Sequence, residues 1–344
     1  MPLLLGDEMR VRAIKDMSQL SDSAFFSEAA EGFGLVVANA RRLYDSAIML
    51  AEAKHYHGAL VLQALSEEEA SKSLILIDAV RCPRQPGKRF ADQLTRFNDH
   101  LAKGLYAWAY WTRPATLGQL QEYLDHYREE LYLDGPNDVD YVFRNEIIRH
   151  REEALYVDYV AHEDGHTWFH PGIYADSSGG SYTHTEPMAL QIAGLLHDVG
   201  MSTSDALAVV ADLWRSAAML PEMQWPQLRQ LNIDTLERLD SSSLLQKRSD
   251  SDYQQLIDRW QFPLYSLDLS LIRVDIESLR EKKEALGSRL VIDCSLSMFS
   301  RCQVGAAVAE ERKGVNGHFI LNSCVSPVHH QLYLSRVPAA HACI

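Results

Sequence analysis

The stretch from residue 141 to residue 159, YVFRNEIIRHREEALYVDY, constrains this chain most, because charges interrupt its helical apolar pattern. At about 100° per residue, a helix would place Phe143, Ile147 and Ala154 on one face. The same face also carries four polar or charged side chains: Arg144, His150, Arg151 and Asp158. Burial of unpaired charges is costly. The sequence therefore predicts that these four side chains either pair inside the fold or serve a function.

A helix predicted over residues 59–80 has the same conflict, because Glu68, Glu69 and Lys72 share the face that carries its aliphatic residues. One interpretation is an ion pair between Glu68 and Lys72, four positions apart, at the helix edge. The other is that the two helices face each other and join their charges. In that arrangement six side chains form one polar network: Glu68, Glu69, Lys72, Arg144, Arg151 and Asp158.

The predicted fold class is all-α, because helical periodicity dominates and no convincing strand alternation precedes residue 288. A helix that begins at Ser21 or Asp22 and the helix over 59–80 should form an antiparallel hairpin. Further helices are predicted over residues 90–111, 116–133, 141–159, 186–199, 204–220, 225–247 and 252–283, the last with a break at Pro263. The glycine-containing stretch 162–185 is predicted to be a long loop.

We predict three regions along the chain. They are a helical bundle over residues 1–172, additional helices over residues 173–287, and an irregular or loosely ordered tail over residues 288–344. Cys82 is the only cysteine before residue 294, and no CxxC spacing occurs, so neither a disulfide framework nor a structural zinc site is expected.

Charge restricts the partners of the chain. The formal net charge of −14 opposes broad attraction to nucleic acid or to anionic lipid, so an RNA partner needs a local basic cluster. Arg149 and Arg151, on either side of His150, provide one. Neither a signal peptide nor an apolar run of membrane-spanning length is present, and we expect a cytoplasmic protein that binds neither membrane nor DNA.

Three segments together resemble the AbiV family of abortive-infection proteins, which belongs to the HEPN superfamily. The first is NARRLYDSAIMLAEAKHYHGALVLQALSEEEASKSLIL, and RHREEALYVDY and TWFHP follow it. The shared features are a long helix, a tight turn, the Glu-Glu-x-x-Lys motif (Glu68, Glu69, Lys72), and a later helix that ends in Leu-Tyr-Val-Asp. The resemblance covers roughly residues 35–172 and implies a HEPN-like helical bundle in bacterial antiphage defence that is usually dimeric.

The resemblance also implies a site, since many HEPN proteins are metal-independent ribonucleases. Their signature is an arginine, commonly followed by a polar residue, and a histidine after four to six further residues. Arg144, Asn145 and His150 fit this signature. The implied catalytic residues are these three, with Glu68, Glu69, Lys72, Arg151 and Asp158 as a supporting polar network, and no metal or cofactor is expected.

The chemistry of RNA cleavage suits these residue types. RNA carries its own nucleophile, the 2′-hydroxyl, so a site must move protons and stabilise charge on the phosphoryl oxygens. His150 is suited to proton transfer near neutral pH, Arg144 to bidentate phosphate binding, and Asn145 to orienting a phosphate oxygen or the histidine. The products would be a 2′,3′-cyclic phosphate and a 5′-hydroxyl. Because Arg144 and His150 lie about 120° apart around a helix, a complete site would need a second protomer, and we expect a homodimer.

Two alternatives keep the same fold without this activity. Arg144 and Arg151 could pair with Glu68 or Asp158, with His150 packed at a helix edge. Such a protein would then act without catalysis, blocking translation by binding a phage protein or a host, ribosome-associated protein. Mutation of Arg144 and His150 separates this hypothesis from the enzyme.

A third hypothesis is a metal-dependent phosphohydrolase. The segment ALQIAGLLHDVG resembles the His-Asp element of HD enzymes, with His197 and Asp198 as ligands. The further ligands that such a site needs have only weak candidates: His170, His184, Asp205 and Asp212. The other interpretation of this segment is a helix C-terminus closed by Gly200. A second possible metal site is the loop cluster of His162, Glu163, Asp164, His166, His170 and His184, for which a solvated turn is the other interpretation.

Overall fold

The computed structural model describes a helical bundle with two small β-hairpins. It describes residues 12–85, 87–129, 131–132, 142–143, 145, 147–148, 155–162, 165–169, 171, 185–246, 248–275, 277–278 and 281. The helices dominate, so the predicted all-α fold class is confirmed. The predicted tail over residues 288–344 lies outside the described residues.

A long antiparallel hairpin forms the centre of the bundle. Helix α1 (Asp22–Glu52) begins at the predicted cap Ser21, whose side chain accepts a hydrogen bond from the backbone N–H of Ala24 (3.4 Å). Helix α2 (Tyr56–Arg81) packs along α1 and buries most of its C-terminal half. The predicted hairpin is confirmed.

Three shorter helices follow. They are α3 (Gly87–Thr95), α4 (His100–Trp111) and α5 (Leu117–Arg128). The single helix predicted over residues 90–111 is thus wrong in one respect, since a short 3₁₀ turn and a new N-cap at Asp99 separate α3 from α4. Thr116 caps α5. Helices α2 and α4 pack against each other.

Two short antiparallel strand pairs, which the sequence pattern did not indicate, accompany the helices. Strand β1 (Leu131–Tyr132) pairs with β2 (Val142–Phe143), and β3 (Asp158–His162) pairs with β4 (Gly165–Phe169), both antiparallel. Strand residues therefore occur near both ends of the segment 141–159, which was predicted to be helical. The segment 162–185, which was predicted to be a loop, contains β4. Short segments rich in Val, Tyr, Thr and Trp fit a strand as well as a helix, and cross-strand pairing decides the outcome.

Four more helices complete the bundle: α6 (Met188–Leu196), α7 (Ser204–Trp214), α8 (Trp225–Ser241) and α9 (Asp250–Arg259). The helical pattern predicted over residues 252–283 with a break at Pro263 begins with α9, which ends at Arg259, four residues before that proline. Helices α6 and α7 pack on α1 and α2, so residues on both sides of the predicted boundary at residue 172 share one hydrophobic core. In the part of the chain that the structure describes, no helix has the length and apolar character needed to cross a membrane.

Candidate functional site

A charged cluster lies between α2 and α4, around Glu68. One oxygen of Glu68, Oε2, accepts a hydrogen bond from Nζ of Lys103 at 2.9 Å and lies 3.0 Å from Nδ1 of His100. Nζ of Lys103 is also 3.1 Å from this Nδ1. We call Glu68, His100 and Lys103 the α2–α4 cluster. It is open at one side, since the side chain of His100 is 44% exposed, whereas that of Lys103 is 6% exposed.

The electrostatics of the cluster follow from these contacts. Burial alone would raise the pKa of Glu68, but Lys103 and His100 favour its charged form, and its pKa is lowered overall. The adjacent Glu67 behaves in the opposite way. Burial raises its pKa, and the hydrogen bond from Nε1 of Trp111 (3.0 Å) offsets this only in part. Two neighbouring carboxyl groups thus have opposite shifts because only one of them faces a lysine.

Glu69 and Lys72 pair with each other. Nζ of Lys72 lies 2.6 Å from Oε2 of Glu69, three positions apart on α2, and 5.3 Å from the centre of the Phe97 ring. The predicted pairing of Lys72 with Glu68 is therefore replaced by a pairing with Glu69.

Asn145 is buried and caps a helical turn. Its Oδ1 accepts hydrogen bonds from the backbone N–H groups of Ile147 (2.8 Å) and Ile148 (3.3 Å). Its Nδ2 donates to the carbonyl oxygen of Tyr127, at the end of α5. Both polar ends of the amide are thus engaged by backbone. In this structure Asn145 fixes where the turn begins and ties it to α5.

The turn that Asn145 starts is seated directly on α4. Ile147 packs against the hydrophobic core, and a Cβ at Gly104 would overlap the side chain of Ile147. Gly104 follows Lys103 of the α2–α4 cluster. The absence of a side chain at position 104 therefore allows the turn to reach α4 beside the cluster.

Several predicted site residues cannot be placed in this way. Arg144, His150 and Arg151 lie outside the described residues, so their catalytic and supporting roles stay predictions. The backbone of Asp158 is described, and it begins strand β3 opposite Phe169. Its predicted place on a helix is therefore wrong, because cross-strand pairing replaces helical periodicity at that position.

The sequence interpretation missed His100 and Lys103. Their partner Glu68 is 32 and 35 residues away in the chain, so no periodicity within one helix connects them. A lysine among the apolar residues of α4, in HLAKGLYAWAY, was the available signal, since a lysine on a buried face needs a partner.

A second charged group, also missed, lies deep in the bundle at the end of α2. Asp78 accepts hydrogen bonds from Arg81, from the hydroxyl of Tyr106 (2.8 Å) and from the backbone N–H of Leu264 (2.6 Å). Arg81 also donates to the carbonyl oxygen of Gln261 (3.0 Å). Its guanidinium carbon lies 4.5 Å and 4.8 Å from the ring centres of two tryptophans, Trp214 and Trp260. We call Asp78, Arg81 and these partners the buried network.

The His-Asp pair at the end of α6 is held by arginines. Arg41 donates to both oxygens of Asp198 at 3.0 and 2.7 Å, and Nη2 of Arg248 lies 3.2 Å away. His197 lies 3.2 Å from Asp198 and stacks on Phe33. With its carboxylate engaged by two cations, Asp198 is poorly suited to bind a metal. Gly200 closes the helix end with a φ of 98°, as the other interpretation predicted.

The predicted loop cluster of histidines falls partly on a hairpin. His162 and His166 lie in β3 and β4, while Glu163, Asp164, His170 and His184 lie outside the described residues. The described residues contain no group of three or more His, Cys, Asp or Glu side chains that could hold a metal ion.

The long helical hairpin α1–α2, with the shorter helix α4 packed on α2, is consistent with a HEPN-like helical bundle. Within that class, residues 28–176 match the family model HEPN_AbiV, whose description is AbiV. The match identifies this segment as an AbiV-type HEPN region and confirms the resemblance found over residues 35–172. No curated protein and no solved structure matches the chain.

Proposed function

We propose that this protein is a bacterial antiphage abortive-infection protein, active in the cytoplasm as a dimer, whose AbiV-type region is a metal-independent endoribonuclease. The reaction is attack of the RNA 2′-hydroxyl on the adjacent phosphodiester. Arg144 binds the phosphate and His150 transfers a proton. Asn145 supports them by fixing the turn on which they depend.

One observation carries this proposal: the turn that Asn145 caps is docked on α4 beside the α2–α4 cluster. Arg144 directly precedes Asn145 in the sequence, and His150 follows Ile148 by two positions. The predicted signature therefore includes the turn that packs on α4 at Gly104, the residue after Lys103, and this supports the proposal.

The chemistry requires cations where the chain is otherwise acidic. The net charge of −14 repels RNA at long range, so a local cluster of Arg144, Arg149 and Arg151 has to supply the attraction. Lys103 adds a cation from α4 that Glu68 holds in place. This arrangement favours a short contact with one or a few phosphates over binding of a long duplex.

The test is cleavage of a labelled single-stranded RNA by the full chain in the presence of EDTA. The unchanged protein should produce fragments that end in 2′,3′-cyclic phosphate and 5′-hydroxyl. His150→Ala and Arg144→Ala should each lower the rate by about 100-fold or more, the range expected for loss of proton transfer or charge stabilisation.

Two exposed residues outside the signature, one histidine and one arginine, provide matched controls. His55 precedes α2 and makes no side-chain cap, and Arg238 lies in the last turn of α8. His55→Ala and Arg238→Ala should leave the rate unchanged. Full activity of His150→Ala, or loss of activity in EDTA, would contradict the proposal.

A specific observation favours a second function, which is non-catalytic binding of a phage or ribosome-associated protein. Four apolar side chains at and before the β3–β4 hairpin are more than half exposed: Tyr156, Val157, Tyr159 and Trp168. Exposed apolar groups of this kind commonly mark protein contacts. Growth arrest that survives in His150→Ala and Arg144→Ala but is lost in Trp168→Ala would support this binder and not the enzyme.

A further inference from the structure

We infer that the solvent-facing side of α1 is a surface on which a second copy of this chain docks, with the two helices antiparallel. The inference rests on the dimer of the proposed function and deepens it, because it assigns that dimer a surface and a register. It does not depend on RNA cleavage. The residues that carry it lie on α1 and in the turn between α1 and α2.

The side of α1 that faces solvent has a regular spacing. Residues that face the core, such as Phe33, Ala40 and Ala47, are completely buried. On the opposite side, six exposed residues recur at intervals of three and four positions, which is the spacing of the seam in a two-stranded coiled coil. We call them the α1 stripe: Leu35, Ala38, Arg42, Asp45, Met49 and Glu52.

Two apolar side chains lie toward the ends of the α1 stripe. Leu35 and Met49 are 65% and 69% exposed, and they are the two most exposed large apolar side chains in the described part of the chain. They are 14 positions apart, or about 21 Å along the axis. One exposed apolar residue is ordinary on a protein surface. Two on the same seam of one helix provide a packing contact on each side of its centre.

Two opposite charges, Arg42 and Asp45, occupy the centre of the stripe and are both exposed. The ion pairs that α1 makes among the described residues use Arg41 and Asp22 instead. Arg42 donates only to the amide oxygen of Asn39 on its own helix, at 2.5 Å. Both charges are therefore available to a group from outside the bundle.

One antiparallel register pairs these charges. A two-fold axis that crosses α1 midway between positions 43 and 44 places Arg42 of each copy opposite Asp45 of the other. The symmetry makes two identical attractive contacts. A parallel pair of helices would instead bring Arg42 against Arg42 and Asp45 against Asp45, and this repulsion disfavours it.

The same register also matches the sizes of the flanking side chains. It places the small Ala38 of each copy opposite the large Met49 of the other, and Leu35 opposite the methylene groups of Glu52. Alternation of small and large side chains lets a seam close without voids. Every position of the stripe thus faces another position of the stripe.

Charges beyond the stripe complement each other in this register as well. Glu28 and Glu31 are exposed on the same side of α1, and the turn after α1 has the exposed residues Lys54 and His55. Glu31 lies about 19 Å from the centre of the register, and the turn begins about 14 Å from it on the other side. The acidic start of one helix therefore lies beside the basic turn of the second copy. The net charge of −14 opposes self-association at long range, so such a local match is needed.

The length of the stripe sets the expected strength of the dimer. From Leu35 to Glu52 it extends over about 26 Å. One pair of helices in contact over this length forms an interface at the small end of the range for specific complexes. We therefore expect a dissociation constant on the order of 10 µM.

The first experiment measures the dissociation constant of the full chain by sedimentation velocity over a series of protein concentrations. Arg42→Glu and Asp45→Arg should each raise the constant by about 10-fold or more, because the two-fold axis turns two attractive contacts into two repulsive ones. An equal mixture of the two variants should form a heterodimer of about the original strength, since every charge at the centre then faces one of opposite sign. Arg238→Glu reverses an exposed arginine on α8 and should leave the constant unchanged.

The second experiment tests an apolar end of the stripe. Leu35→Glu places a carboxylate opposite Glu52 of the second copy and should also weaken the dimer by about 10-fold. Leu220→Glu is the matched control, because Leu220 is likewise more than half exposed but lies outside α1. Thermal midpoints measured by circular dichroism verify that each variant is folded.

The outcomes are distinct. If the unchanged protein is a dimer and the folded α1 variants keep its dissociation constant, the inference is wrong and the dimer of the proposed function uses another surface. Variants that are monomeric alone and stay monomeric when mixed would overturn the antiparallel register. If the unchanged protein stays monomeric at about 50 times the expected constant, the inference and the proposed dimer fail together, whereas RNA cleavage is judged by its own test.

Discussion

The two charged groups on α2 have similar composition and opposite surroundings. The buried network joins Asp78 and Arg81, whose side chains are 1% and 0% exposed, and two further hydrogen bonds fill the carboxylate of Asp78. The α2–α4 cluster joins Glu68 to Lys103 and to a histidine that is almost half exposed. A charge pair closed by backbone and aromatic groups stabilises the fold, whereas one that keeps a titratable ring open to solvent is available for chemistry.

The comparison also explains why only one of the two groups is a candidate site. Solvent exposure distinguishes them, because the side chains of Asp78 and Arg81 are almost completely buried and cannot contact a substrate.

The largest effect is expected from Asp78→Ala. The change leaves the guanidinium of Arg81 buried without its carboxylate, which should lower the free energy of unfolding by about 3–5 kcal/mol. Urea unfolding followed by circular dichroism measures it. The double variant Asp78→Leu with Arg81→Met should be less destabilised than the single variant, because no charge is left unpaired. A loss below about 1 kcal/mol in Asp78→Ala would show that the network is not needed for stability.

Gly104→Ala should affect both stability and activity. The added methyl group overlaps Ile147, so the turn capped by Asn145 has to move away from α4. Overpacking of this kind costs about 1–3 kcal/mol, and RNA cleavage should fall with it. Gly87→Ala is the matched control, since a Cβ there meets nothing within 4 Å. Equal behaviour of the two variants would mean that contact with α4 does not position the turn.

The neighbouring glutamates should respond to pH in opposite ways. The pKa of Glu68 is lowered in the folded protein, so its charged form stabilises the fold above the ordinary value of 4.5, and this contribution is lost as pH falls through the lowered pKa. Glu68→Gln should therefore cost about 1 kcal/mol at pH 7, with the difference shrinking in acid.

Glu67→Gln tests the other direction. The pKa of Glu67 is raised by burial, so its charged form opposes folding above the raised pKa and the opposition fades as pH falls toward 4.5. The glutamine variant should be as stable as the unchanged protein or more stable at pH 7. Paired unfolding curves at pH 4 to 8 measure both variants, and a parallel response of the two would contradict the assigned surroundings.

The smallest effect on stability is expected at the β3–β4 hairpin. Tyr159 and Trp168 pair across the strands with ring centres 4.9 Å apart, and both are largely exposed. Trp168→Ala should lower the free energy of unfolding by less than about 0.5 kcal/mol. The buried Trp260 is the contrast, since Trp260→Ala removes a packed core side chain and the ring beside Arg81. A large loss in Trp168→Ala would indicate that the hairpin is covered in the folded state.

Local features of the fold could be predicted from the sequence. The α1–α2 hairpin follows from the cap at Ser21, helical spacing and the prolines after Arg81, all of which lie close together in the chain. The hairpin strands could not, because they are short and their residues also fit a helix. Only the pairing of Tyr159 with Trp168 decides between the two patterns.

For the candidate site, the sequence identified the carboxylate but not its partners. Glu68 could be recognised as a misplaced charge on α2. Its partners His100 and Lys103 come from α4, and the way in which two helices pack is not encoded in the periodicity of either one. Asp78 and Arg81 offered a clearer signal, since two charges three positions apart within LILIDAVR predict a buried pair.

The hydrogen bond from Leu264 to Asp78 joins positions 186 residues apart, and this has a consequence for modularity. The segment that matches the AbiV model ends at residue 176, but Arg81 within it donates a hydrogen bond to Gln261, which lies beyond that segment. In a polypeptide that ends at residue 176, Asp78 and Arg81 would lose their hydrogen bonds with Leu264 and Gln261. We expect such a fragment to aggregate. A stable version of this region in another protein would have to include the segment that contains Gln261 and Leu264.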